Sequence, residues 1–282
     1  KNESLLKEEI DNIVDFFRQF IRKERLKVES LTSDQEKIRI KLINIEDNIK
    51  LINFKNKNFP DITFKQNDNV FIFELTEIYK KRLFESSIKQ SLEIVRKRID
   101  ESGTKEPLIQ RQGTDRILLQ LPGIKDPERI KKLLGKTAKL TFHMVDDENI
   151  AALANNNPPA GKMIVQDNLN KEISYLVEKR VRVGGENLVD AQPTFDQNSP
   201  AVSFRFDPLG ARKFGKATSS NVGKRFAVIL DGKVITAPVI RTEISGGAGV
   251  ISGNFTIQEA QDLALLLRAG ALPAPLEIIE ER

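Results

Sequence analysis

Few residues in this chain could do chemistry, and their spacing does not favour it. His143 is the only histidine and there is no cysteine. A Ser-His-Asp triad or a multi-histidine metal site would have to be built on that one imidazole. Disulfides, thiolate metal ligands and cysteine nucleophiles are excluded outright. His143 lies in KLTFHMV, whose alternation is that of a strand, so a structural histidine is the expectation. The pair Asp146–Asp147 reads as hydrated loop charge, because no neighbouring run supplies the desolvation that tunes a carboxyl group. The glycines of GGAGVISG (246–253) miss a dinucleotide fingerprint, which needs glycine where Ser252 stands. No phosphate-binding G-x-x-x-x-G-K-[ST] loop, H-E-x-x-H helix or EF-hand spacing occurs. We assign no catalytic residue, no metal ligand and no cofactor.

The totals are those of a folded chain. It has 282 residues, 39% hydrophobic and 30% charged, enough for one large domain or two ordinary ones. Its 45 Lys+Arg against 40 Asp+Glu give +5, but the two signs are interleaved, so no nucleic-acid partner is expected. Phenylalanine (16) far outnumbers tyrosine (2) and tryptophan (0); at helical or strand period these rings are expected in a core, not as base-stacking platforms.

The elements follow from periodicity. Leu6, Ile10, Ile13, Phe17 and Phe20 share one face of a helix over 3–27. IRIKLI and IKLINF alternate around Asp47-Asn48, which predicts a hairpin, and DITF with VFIFEL predicts a second around Gln66–Asn69. A long helix over 77–102 has the stripe Phe84, Ile88, Leu92, Val95 and Ile99, with Gly103 at its left-handed end. The charges of EIVRKRID lie off that stripe and read as a solvated face. Two strands, PLIQRQ and RILLQL, flank Gly113–Asp115. Asp126 caps a helix that opens at Pro127 and ends at Gly135, and the strand LTFHMV follows.

From Asp146 to about Arg182 the pattern weakens, and a subdomain boundary is placed there. Beyond it come the strand AVSFRF, a helix capped by Asp207, and the hairpin RFAVIL–Asp231-Gly232–KVITA, whose turn residues suit type I′. Gly246–Gly249 reads as a loop. The apolar run LALLLRAGALPAPL (263–276) is not a membrane span. Arg268, Gly270 and two prolines interrupt it, and Thr256-Ile257-Gln258-Glu259 ahead of it is a capping box. Ala260, Leu263, Ala264 and Leu267 are its buried face, and LEIIEE (276–281) is expected as a closing strand. The fold class is α+β.

Four collinear blocks carry a resemblance. SLEIVRKRIDESGTKEPLIQRQGTDRILLQLPGIKDPERIKKLLGKTAKLTFHMVD, LVDAQPTFDQNSPAVSFRFDPLGARKFGKAT, VGKRFAVILDGKVITAPVI and ISGNFTIQEAQDLALLLRAGALPAPLEIIEER resemble the periplasmic domain of the SecD/SecF protein-export family. The match is dense over about 86–145 and 184–282, loose over 1–85 and nearly absent over 146–183. Its family-motif positions are Arg111-Gln112-Gly113, Pro122-Gly123, Asp231-Gly232, Arg268 and Gly270.

The resemblance implies a ferredoxin-like βα base with an inserted α+β head. Base residues are expected at 1–145 and 254–282, the head at 146–253, and hinge points at Val145-Asp146 and Gly253-Asn254. It further implies a membrane-embedded parent on the periplasmic face of the bacterial inner membrane. SecF, the SecYEG channel and unfolded exported proteins are the implied partners, in proton-gradient-driven export; a nucleic-acid-binding module and an enzyme of unknown class are the alternative readings of the residues. The proton-coupling residues of that family lie in membrane helices outside this chain. So does a strand that precedes the family's first domain helix, and a free sheet edge that recruits another strand is expected in its place. The substrate surface is expected in 146–183 and in 245–250, by position alone.

Overall fold

A computed structural model describes residues 2–34, 36–104, 106–113 and 115–280. The chain divides into two compact units, Lys1–Ser91 with Gln110–Leu118, and Leu92–Ile109 with Leu119–Arg282.

The first unit opens with helix α1 (Asn2–Lys23), followed by β1 (Val28–Ser33), β2 (Lys37–Leu42), a 3-10 turn, α2 (Asn48–Asn58), β3 (Ile62–Asn67) and β4 (Val70–Leu75). The strands form one antiparallel sheet in the order β1-β2-β4-β3. The expected stripe of α1 is the buried one: Ile10, Ile13 and Phe17 meet Ile38, Ile40, Phe71 and Phe73 from the sheet. Each such side chain contributes roughly 1.5–3 kcal/mol by leaving water. Helix α1 stops earlier than its pattern suggests, with Arg25 at φ 54 turning the chain into β1.

The hairpin expected around Asp47-Asn48 is not formed. IKLINF lies in α2, where Leu51 is fully buried and Phe54 stacks on Phe20 at 4.0 Å. Packing against α1 overrides the local β preference of the isoleucines. The second expected hairpin is present as β3–β4, with Asp68 at φ 49 in its turn.

Helix α3 (Glu77–Glu101) leads into the second unit, and Gly103 at φ 82 ends it. Strands β5 (Leu108–Gln112) and β6 (Arg116–Gln120) pair with each other; Thr114 of their turn lies outside the described residues. Then come α4 (Pro127–Gly135), β7 (Leu140–Met144), the single turn α5 (Ala151–Ala154), β8 (Lys162–Gln166), β9 (Ser174–Glu178), β10 (Val183–Gly184), β11 (Leu188–Asp196) and β12 (Ser199–Phe206). They are followed by α6 (Pro208–Ser219), β13 (Phe226–Leu230), β14 (Lys233–Thr236), β15 (Ala248–Ser252) and α7 (Ile257–Ala269). Asp126 and Asp207 cap α4 and α6 as expected, accepting from the backbone N–H of Arg129 (3.0 Å) and Gly210 (2.6 Å).

Two sheets carry this unit, β10-β7-β13-β14 and β11-β12-β15. Phe142 of β7 lies between them, with the rings of Phe204, Phe206, Phe214 and Phe226 at 5.5–5.7 Å. The weak segment after Asp146 folds into the hairpin β8–β9. Single bridges Val145–Val177 and Asp167–Val234 join it to the first sheet over a small valine core. Strand β11 contains Pro193 and pairs only through β12, the edge position that proline tolerates.

Two further expectations are corrected. The glycine-rich stretch is loop only as far as Gly247, because Ala248–Ser252 is β15. A Cβ on Gly249 would lie 2.6 Å from the Phe204 ring, and one on Gly247 would lie 2.4 Å from the Ala211 Cβ, so these glycines serve close packing. LEIIEE forms no strand over 276–280, and Glu281 lies outside the described residues; Ile278 and Ile279 are exposed and no neighbouring strand takes up the backbone there. The 145/146 boundary falls at the end of β7, which pairs with β13 along its whole length, and α7 packs on β11 and β12. Residues assigned to base and head thus share one sheet and one core. Among the described residues, no helix is long and apolar enough to cross a membrane.

Candidate functional site

The side chain the sequence reading misplaced is the centre of this region. Arg98 belongs to EIVRKRID, read as a solvated face, yet it is wholly buried. Its Nη1 donates to the carbonyls of Leu133 (2.7 Å) and Lys136 (2.5 Å), and its Nη2 to those of Thr137 (3.1 Å) and Gly270 (3.1 Å). Leu133 lies in the last turn of α4, and Gly270 directly follows α7. Both regions carry carbonyls that no helical N–H can take, at the negative ends of helix dipoles. That is why a guanidinium is tolerated here without a carboxylate bonded to it. Burial lowers its pKa to about 10, opposed by the charge of Asp231, so it stays protonated at neutral pH.

Asp231, a family-motif position, closes the same junction from the β13–β14 turn. Its carboxylate accepts from the N–H of Ala138 (3.0 Å) and of Lys139 (2.8 Å), and from the Thr137 hydroxyl. These bonds hold Ala138 at φ 61, a left-handed conformation that costs a non-glycine residue about 1 kcal/mol. The turn itself is as expected, with Asp231 at φ 49 and Gly232 at φ 77.

Arg268 is tied to its surroundings three times. It donates through Nε (2.9 Å) and Nη2 (2.7 Å) to Glu101 of α3, and through Nη1 to the Ala191 carbonyl of β11. Helix α3 therefore sends Arg98 to the end of α7, and α7 sends Arg268 back to α3. The structure brings together Asp231, Gly232, Arg268 and Gly270. Arg111, Gln112 and Gly113 sit on the exposed β5–β6 hairpin, where Arg111 Nε donates to the Gly113 carbonyl (2.8 Å). Pro122 and Gly123 form an exposed turn, with Gly123 at φ 66.

The hinge positions are held unequally. Val145 N donates to the Arg225 carbonyl (3.1 Å) and Asp146 N to the Leu176 carbonyl (2.8 Å). The buried Asp146 carboxylate accepts from Asn149 Nδ2 (2.9 Å) and pairs with Lys162 (3.0 Å). Burial alone would raise its pKa, but Asn149 and Lys162 outweigh this and hold it below the ordinary carboxylate range. Gly253 is not in the left-handed region; a Cβ there would lie 3.0 Å from the Phe255 ring, and Asn254 is exposed. His143 is buried in β7 with Nδ1 2.8 Å from the Glu178 carbonyl, as a structural strand histidine should be. No group of His, Asp and Glu side chains among the described residues is placed to hold a metal ion.

The second unit also has an open groove of about 510 Å³, lined by Leu153, Ile164, Gln166 and Ser174 and, from the β13–β14 turn, Asp231–Lys233. Sequence reasoning reached this groove only through the position of 146–183. The alternation of KMIVQ and SYLVE, five residues each, was the available signal for its walls.

The second unit is thus a mixed α/β architecture stitched by arginine–carbonyl contacts. Comparison with known proteins identifies its family. Residues 162–274 match the family described as SecDF, P1 head subdomain, and residues 88–147 match the N-terminal P1 domain of protein translocase subunit SecDF. Protein translocase subunit SecD of Rickettsia bellii is 44% identical over 99% of this chain and 54% of its own length. SecD of Rhodobacter capsulatus is 50% identical over 75% of this chain and 38% of its own length. A solved structure of SecDF, described as a membrane component that enhances protein export, is 37% identical, with TM-score 0.57, covering 70% of this chain and 93% of that one. SecDF in a super-membrane-facing form is also 37% identical, with TM-score 0.58, over 69% of this chain and 28% of that one. The chain belongs to the SecD/SecDF family of protein translocase subunits. It spans about half the length of the curated relatives it matches, 54% of the Rickettsia bellii protein.

Proposed function

We propose that this chain is the periplasmic-face domain of a Sec translocon accessory subunit, and that it briefly holds an unfolded protein as it emerges from the channel. Its partners in this reading are SecF, the SecYEG channel and the exported chain, and the proton gradient enters through membrane helices elsewhere in the parent. The observation that carries the proposal is the match over 93% of a SecDF structure described as enhancing protein export. The open groove beside the β13–β14 turn supports a holding role, being shallow, mixed in polarity and free of any dominant anchor. Weak holding is sufficient, since about 1.4 kcal/mol of difference between two states of the domain biases direction tenfold.

The proposal includes movement of a head (146–253) against a ferredoxin-like base (1–145 and 254–282). Because the chain has no cysteine, one cysteine in β11 and one in α7, which pack together, give a clean lock in the full-length protein. Oxidation is expected to lower gradient-driven export, and reduction to restore it. Full export with the pair closed rejects the movement. Holding is tested separately, by placing a photo-crosslinking residue at Ile164 and arresting an exported chain in transit. Failure to crosslink any arrested length rejects this groove as the holding surface.

A further inference from the structure

The first unit carries a groove that neither family match reaches, as those matches begin at residue 88. Its walls are one stripe on each of two helices. Helix α1 gives Phe16, Gln19, Phe20 and Lys23, with Glu24 directly after its end, and α2 gives Lys50, Asn53, Phe54, Lys57 and Asn58. Both sets follow i, i+3, i+4, i+7, i+8, so each helix shows a second face beyond the one it buries. The buried faces are accounted for by Ile10, Ile13, Val14 and Phe17 on α1 and Leu51 on α2. The helices run antiparallel, since Phe16 meets Phe59 (5.8 Å) while Phe20 meets Phe54 (4.0 Å). The groove between them is open and holds about 560 Å³.

We infer that this groove receives an amphipathic helix bearing acidic residues, supplied by a partner protein. Two antiparallel helices with free parallel stripes leave the slot into which a third helix packs. The floor is aromatic, and Phe16 is 55% exposed, an uncovered ring at its mouth. The rim carries Lys23, Lys50 and Lys57 against the one carboxylate of Glu24. Lys50 is satisfied within its own turn by Asp47 (3.2 Å), and Lys23 and Lys57 make no ion pair among the described residues. Charge therefore selects glutamate or aspartate flanking the apolar stripe of the guest. A second copy of this chain fits poorly, because it brings the same cationic rim. Nucleic-acid bases fit poorly as well: Phe20 and Phe54 stack on each other at an interplanar angle of 16°, so each spends a ring face that a base would need.

The test titrates the whole chain into a fluorescein-labelled helical peptide of about 14 residues, four turns long, with leucine at i, i+3, i+4 and i+7 and glutamate on both flanks. Anisotropy is expected to saturate in the micromolar range. The K23E/K57E variant should weaken binding about tenfold or more and should recover it with a peptide carrying lysine for glutamate. F16A should weaken both pairings, and as Phe16 is largely exposed the fold should survive, which far-UV circular dichroism checks. The inference is overturned by any of four results: no saturation up to about 1 mM; equal affinity for the acidic and lysine peptides; tighter binding to a single-stranded oligonucleotide or phosphatidylglycerol vesicles than to the acidic peptide; or concentration-dependent dimerisation that F16A abolishes.

Discussion

Replacing Arg98 tests whether the junction in the second unit is structural. In R98M the side chain keeps its length and apolar stem but loses every donor. Of the four carbonyls it serves, that of Thr137 retains the Leu272 N–H (2.8 Å); those of Leu133, Lys136 and Gly270 lose their guanidinium donor. A buried carbonyl left without a partner costs about 1–3 kcal/mol, so three give roughly 3–9 kcal/mol, and the low end applies because the Lys136 and Gly270 contacts are only part-buried. Against this stands the desolvation of the guanidinium, which methionine does not incur and which often makes buried charges replaceable. That replacement is benign when both partners become apolar together. Here the acceptors are backbone and stay polar, so the loss should dominate, at about 3 kcal/mol.

R98K should recover about half of that, since an ammonium supplies three donors but not the planar fork that reaches four oxygens. Urea unfolding followed by far-UV circular dichroism measures both variants, and the absence of tryptophan does not affect that signal. D231N, which weakens the clamp on Ala138 and Lys139, should couple to R98M by about 1 kcal/mol in a double-mutant cycle. If R98M costs less than about 1 kcal/mol, the carbonyls have found other donors and the junction is not what holds α3, α4 and the end of α7 together.

Two further outcomes are expected. His143 is the only histidine, and burial pushes its pKa below the usual value, partly offset by its bond to the Glu178 carbonyl. Below pH about 6.5 the unfolded chain takes a proton that the folded chain refuses, so stability should fall with pH until the depressed folded pKa is reached. Urea midpoints at pH 7.5 and 5.5 should differ in the wild type and draw together in His143→Asn; an unchanged difference would refute the assignment. At the start of α7, Thr256 Oγ1 accepts from Glu259 N (3.2 Å) and Glu259 Oε2 accepts from Thr256 N (2.8 Å). Thr256→Ala should therefore cost about 1 kcal/mol by the same unfolding measurement.

What could be read from the sequence was whatever chain-local chemistry decides. The caps at Asp126, Asp207 and Thr256 and the turn at Asp231-Gly232 stand where those residue types put them. The apolar face of α1 does too, because helical period and burial agree there. Helix α2 was misread because its alternation is compatible with either structure and only packing against α1 decides it. Strands β8 and β9 were hidden by their short length and by the loop between them. Arg98 could not be found by pattern at all. An arginine one residue off an apolar stripe normally reaches water, and this one is buried because the ends of two other helices happen to converge on it. Asp231 and Gly270 were legible as a turn residue and a break in the last helical run, but nothing local pointed to the junction at which residues 137–139 and Arg98 hold them.

That junction bears on how the domain could move. The backbone at Val145 and Gly253 is where the chain passes between the proposed base and head, but the side chains set a second constraint. Asp231, in the head, grips residues 137–139 of the base. Arg268, in the base, grips Ala191 of the head while also holding Glu101. Any rotation large enough to separate β7 from β13 would expose these contacts and the phenylalanine cluster with them, each contact worth about 1–3 kcal/mol. A motion of small amplitude, sliding α7 along β11 and β12 with Arg268 still tethered, avoids most of that cost. The disulfide lock between those elements blocks rotation and sliding alike. If it abolishes gradient-driven export, movement at this interface is required, and the cost of rotation favours sliding. If export is untouched, the junction around Arg98 and Arg268 makes residues 92–145 and 184–282 one body, and the work is done by that body as a whole.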